Sequence, residues 1–199
     1  MSKTLVVFAH PGNKGHNTKI LEKVEQYLEL RQETYEVLDL YHENDFDPLL
    51  RYDEHYVHNE KVISQKVLEY QKKIRQSDKL IFIHPVWWNS PPAVLNGFFE
   101  KVWTPGFAFK YVHVIGDLGR PVGLLPHKKA VVFQTINSPR WLHYLVQGAR
   151  AKKIMSQDFL GFAGIKNKIW LIDKCLKLTP AQEKKISKRV SKGISWLYK

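Results

Sequence analysis

The chain has 199 residues, 44% of them hydrophobic and 13% aromatic, with a formal net charge of +12. That size suits one domain, 1–199, able to bury its own core, and no apolar run nears the roughly 20 residues of a membrane span. The single cysteine, Cys175, excludes an internal disulfide and fits a reducing compartment, so a cytoplasmic location is expected.

Residues 4–9 (Leu-Val-Val-Phe-Ala after Thr4) are apolar, β-branched and unalternated, the pattern of a buried parallel strand. His10-Pro11-Gly12-Asn13-Lys14-Gly15-His16-Asn17 reads as a loop. Helical spacing then begins at Ile20, Leu21 and Val24, with Asn17 or Thr18 as the expected cap. A second strand is predicted over 35–40. The stretch 41–58 is polar, with Phe46 and Pro48 as packing points. A helix follows around Val62, Val67, Tyr70 and Ile74, then a third strand over 79–84.

That third strand stops at Pro85 and opens into Val86-Trp87-Trp88-Asn89-Ser90-Pro91-Pro92. Two adjacent tryptophans on a loop are unusual, since loops carry small polar residues. They are either core anchors or a platform for a flat, conjugated ligand. A helix is predicted from Ala93, its first turn preset by the prolines. Residues 104–126 form an irregular excursion holding Phe107, Phe109 and Tyr111. Strand four spans 129–134, a helix 141–159 and strand five 168–172. The last helix starts at Thr179-Pro180-Ala181-Gln182, with Gln182 as a capping-box residue.

Strand and helix alternate about five times, which predicts an α/β fold: a doubly wound five-stranded parallel sheet in the flavodoxin-like order 2-1-3-4-5, with helices on both faces. Such sheets bind ligands at the carboxyl ends of the strands where the order reverses, between strands one and three. The two most unusual loops follow those two strands. The first, rich in Gly and Asn at a helix start, suits an anion; the second suits a ring. Neither G-x-G-x-x-G nor a Walker loop is present. His55 and His58 near Asp53 make a poor metal set, so no metal is expected. The lysines from 184 to 192 read as the solvated face of the last helix, not as a specific nucleic-acid surface.

Ala9-His10-Pro11 with Asn17, Asp39-Leu40-Tyr41, Pro85-Val86-Trp87-Trp88, Leu95-Asn96-Gly97-Phe98-Phe99-Glu100-Lys101-Val102 and Leu160-Gly161-Phe162 with Gly164 together resemble the flavodoxin-like NAD(P)H:quinone oxidoreductase family. The resemblance implies a flavoenzyme carrying FMN or FAD. It would take hydride from NADH or NADPH and reduce a quinone-like acceptor by two electrons in alternating half-reactions, as a homodimer with active sites at the interface. It implies that His10, Gly15, His16, Asn17 and Thr18 hold the phosphate and ribityl chain. Pro85, Val86, Trp87 and Trp88 would lie along the ring, and Thr135, Ile136, Asn137 and Ser138 on its pyrimidine side. Asn89, Phe107, Phe109 and Tyr111 would belong to the substrate pocket, with His143 and Tyr144 as catalytic candidates. The family's Thr-Thr-Gly-Gly is here Thr135-Ile136-Asn137-Ser138, and Gly15 replaces a common serine. An alternative is a flavin-binding ancillary subunit of a potassium efflux system.

Overall fold

The computed structural model describes residues 3–54, 63–115 and 118–199. Five parallel strands, β1 (Lys3–Phe8), β2 (Thr34–Asp39), β3 (Ser77–Pro85), β6 (Lys129–Thr135) and β7 (Lys166–Ile172), make one sheet in the order β2-β1-β3-β6-β7. Taken in chain order these are the expected strands one to five in the expected arrangement. The register pairs Val7 with Leu38 on one side and with Phe82 on the other.

Alternate side chains of each central strand enter different cores. Leu5, Val7, Leu80, Phe82, Ala130 and Val132 pack in one; Val6, Phe8, Ile81, Ile83, Val131 and Phe133 pack in the other. Both faces are covered, which is why the strands read as continuous apolar runs. Helices α1 (His16–Leu30) and α6 (Pro180–Leu197) cover the second face through Ile20, Val24, Val190 and Ile194. Helices α2 (Gln65–Arg75) and α3 (Ala93–Val102) cover the first. Gly97 lets α3 sit directly on the Pro48 backbone: a Cβ there would lie 2.1 Å from Pro48 O.

Several sequence expectations change. Helix α1 is capped by neither Asn17 nor Thr18. Gly15 is its N-cap, with φ 111° and ψ −163°, and Asn17 lies buried inside the first turn. The excursion at 104–126 is not irregular throughout, because it holds an antiparallel hairpin of β4 (Phe109–Ile115) and β5 (Leu118–Gly123). At its base Gly123 meets the backbone of Ala163 and Gly164, where a Cβ would come within 2.2 Å of Ala163 C.

The expected helix over 141–159 is broken. Helix α4 (Arg140–Leu145) ends before Gly148 and Ala149, both left-handed, and α5 (Arg150–Lys153) runs into a π-helical turn (Ile154–Phe159). Thr179 does cap α6 through the Gln182 N–H at 3.3 Å, but the Gln182 side chain donates to Asp173 O and Lys174 O instead of closing a capping box. His55 and His58 lie outside the described residues. Among the described residues no helix is long and apolar enough to cross a membrane.

Candidate functional site

The sheet order reverses at β1: its chain neighbour β2 lies on one side and β3 on the other. The loops leaving β1, β3 and β6 open there into one crevice of about 620 Å³. That volume is in the range of small-molecule sites.

The first wall is the β1 loop. His10 Nδ1 accepts from the Gly12 N–H at 3.1 Å and folds the loop on itself. The Thr18 hydroxyl donates to Gly12 O at 3.3 Å. Gly15 then turns the chain into α1 with backbone almost confined to glycine. No side chain caps α1, so its first N–H groups and the positive end of its dipole are left for a ligand. Asn17, buried, donates to Thr135 Oγ1 at 3.1 Å and joins this wall to the β6 loop.

The second wall is the tryptophan loop. Trp87 and Ser90 exchange backbone hydrogen bonds at 3.0 and 2.9 Å around a two-residue tip. The tip residues Trp88 and Asn89 have φ of 52° and 59°, the conformation of a type I′ turn, usually given to Asn-Gly. A bulky residue held in that region marks strain, and strain of this sort gathers at ligand sites. Trp88 is fully exposed and Trp87 is 42% exposed, so neither is a core anchor. Asn96 Nδ2 fastens the loop to α3 by donating to Ser90 Oγ and Pro91 O. The His10 and Trp87 rings approach across the crevice with centroids 6.3 Å apart.

The chemistry of the lining is that of a binding site. Cys175 reaches the crevice, but burial pushes its thiol pKa up to about 11, so it is no nucleophile at neutral pH. His16 lines the crevice with Nε2 buried and unpartnered. Burial lowers its pKa, as does Lys185 nearby, while the Lys177 backbone opposes them. An unpaired nitrogen beside uncapped helix N–H groups fits a polar, anionic ligand end. Among the described residues no group of three His, Cys, Asp or Glu could hold a metal ion.

Of the residues singled out in the sequence, His10, Gly15, His16, Asn17, Pro85, Val86, Trp87, Trp88 and Asn89 line the crevice, as do Thr135, Ile136, Asn137 and Ser138. Thr18 stands behind the first wall. Phe107 and Phe109 do not reach outward: both are buried, Phe107 against Trp103 and Phe109 against Phe162. Tyr111 is exposed on β4. His143 is buried behind the crevice, and Tyr144 lines a separate hollow with Trp141 and Leu145. Lys14, Gln147 and Cys175 line the crevice without having been singled out. Lys14 sits within the legible loop; Gln147 had no signal but the Gly148 beside it.

Residues 2–187 match the flavodoxin-like fold family. The chain belongs to that family. This flavodoxin-like protein is 32% identical over 135 residues to an uncharacterized NAD(P)H oxidoreductase of Haemophilus influenzae, a match covering 67% of the chain and 64% of the relative. It thus spans under two thirds of that relative's length. Among solved structures it resembles the NAD(P)H:quinone oxidoreductase from Methanothermobacter marburgensis, with TM-score 0.81 and 26% identity over 96% of this chain and 94% of the other. An FMN-dependent NADH-azoreductase from Bacillus anthracis, solved in complex with FMN, shares the fold over the full length of both chains, with TM-score 0.80 and 20% identity.

Proposed function

We propose that this flavodoxin-like chain is a single flavin-binding domain and acts as a flavin-dependent NAD(P)H oxidoreductase. The carrying observation is one crevice with an uncapped helix start at one end and two exposed indoles at the other. A phosphate suits the first and a flat ring the second. FMN and FAD present the same ring and first phosphate to these walls.

A bound flavin would supply two-electron chemistry, accepting hydride from the nicotinamide and passing both electrons to a quinone or similar acceptor. The overall reaction balances as NAD(P)H, a proton and quinone giving NAD(P)+ and hydroquinone. This chain's residues do the rest. The free amides of His16, Asn17 and Thr18 at the start of α1 would hold the phosphate. Trp87 and Trp88 would offer the ring their exposed faces. The loop of Thr135, Ile136, Asn137 and Ser138, which lines the same crevice, would meet the polar edge of the ring. Nicotinamide and acceptor would use the same crevice in turn, so ping-pong kinetics are expected.

The protein is further proposed to be a homodimer. Trp141, Leu145 and Val146 expose large apolar surface beside the crevice, Leu145 at 80%, and clusters of that kind mark interfaces. Light scattering reads the oligomeric state.

The test titrates flavin-free protein with FMN and with FAD by quenching of flavin fluorescence. The loaded protein is then titrated anaerobically with NADH and NADPH, and reoxidised with a quinone. Saturable binding followed by bleaching and quinone-dependent recovery is the expected result. Binding of neither flavin refutes the reading.

A further inference from the structure

Gln147 lines the crevice, although it comes from the break after α4 and from no strand tip. Gly148 and Ala149, which follow it, have φ of 64° and 53°. For alanine this region costs about 1–2 kcal/mol. The break is closed by the Gln147 N–H donating to Leu142 O at 3.1 Å and the Ala149 N–H donating to His143 O at 2.9 Å. A strained turn thus holds this one side chain at the crevice wall.

Gln147 Oε1 lies 3.3 Å from His143 Nδ1. His143 is fully buried, and its Nε2 meets no partner. An orphaned buried N–H is rarer than an under-satisfied acceptor. The proton therefore sits on Nδ1, and Nδ1–H donates to Gln147 Oε1. Burial supports this by lowering the His143 pKa and keeping the ring neutral. With its oxygen turned towards His143, the carboxamide is oriented to present its Nε2 hydrogens to the crevice.

We propose that Gln147 is a hydrogen-bond donor to the ligand in the crevice, and that His143 is the positioning residue that orients its carboxamide. This rests on the flavin reading above. A fixed donor favours the reduced, more negative ring over the oxidised one. It therefore raises the reduction potential of bound flavin. His143, though buried, acts through Gln147 without touching the ligand.

The test measures flavin affinity by fluorescence, then the potential of the bound flavin by equilibration with reference dyes. Q147L is expected to weaken reduction about tenfold, which for a two-electron couple is about 30 mV more negative. H143F is expected to give the same shift by freeing the carboxamide to rotate. H143N, which keeps an N–H near the Nδ1 position, is expected to hold the wild-type potential. The double variant Q147L/H143F should be no more negative than Q147L, because the two act as one unit. Q147L replaces a partly exposed side chain, so its result stands even if H143F fails to fold. Wild-type protein that binds no flavin sinks the flavin reading and this inference with it. Flavin bound to Q147L at the wild-type potential overturns only the role of Gln147. A shift from H143F that persists in the Q147L background overturns the role of His143.

Discussion

Asn17 and Thr135 are 118 positions apart in sequence, yet the Asn17 carboxamide donates to the Thr135 hydroxyl at 3.1 Å, both residues buried. This bond ties the start of α1 to the tip of β6 and fixes the distance between two crevice walls. Asn17→Ala removes it and leaves the Thr135 hydroxyl without that partner. A buried group so orphaned costs about 1–3 kcal/mol. Urea unfolding is expected to show that loss, and flavin titration a weaker affinity. A variant as stable as wild type would mean that the bond is not needed to hold the walls.

Gly15 has φ 111° and ψ −163°, a region essentially restricted to glycine. A Cβ there would meet nothing within 4 Å. The cost of Gly15→Ala is therefore conformational, not steric, at about 1–3 kcal/mol. Gly15→Leu should cost a similar amount, since its penalty comes from the backbone and not from crowding. Denaturation midpoints of the two variants, compared side by side, decide this.

Trp88 is fully exposed with φ 52°. Trp88→Gly relieves the strain without removing buried surface. Its melting temperature is expected to equal or exceed that of wild type, while flavin affinity falls several-fold as a stacking face is lost, about 1 kcal/mol. A lowered melting temperature would show that the indole packs in solution.

His84 is completely buried, its Nδ1 against Pro85 O at 2.8 Å and its Nε2 toward Gln134 at 3.4 Å. Burial pushes its pKa down to about 4, against about 6.5 when unfolded. Between those values the unfolded chain binds the extra proton, so stability falls as pH drops from about 6.5 to 4, by about 3 kcal/mol from this residue. The contribution is fully present above pH 6.5. His16 and His143 shift in the same direction, so the share of His84 is read by difference. His84→Gln should flatten the stability–pH curve in that window. An unchanged slope would locate the acid sensitivity elsewhere.

The sheet was legible because its strands are buried on both faces and so read as unbroken apolar runs. The two main walls were legible because residue type and place disagree: glycine and asparagine at a helix start, two indoles on a loop. The cap of α1 was misread because Asn17, a good cap by type, is drawn inward by Thr135, a contact no local pattern encodes. The hairpin was missed because β5 is short and bears Gly119, Pro121 and Gly123, residues that argue against a strand. The break at Gly148 was overridden by helical spacing on both sides, and Gln147 was hidden with it. Phe107 and Phe109 have the hydrophobicity of a pocket lining, but that equally suits a core, and here the core takes them.

The contact between Gly123 and the backbone of Ala163 and Gly164 bears on what the hairpin can do. An arm without such a joint would swing about its hinge and average out whatever its far end touches. This one is pinned to the body at Gly123, the strand position paired with Phe109, two residues before the solvent-facing Tyr111. A single methyl at position 123 would overlap the Ala163 and Gly164 backbone and force the joint apart.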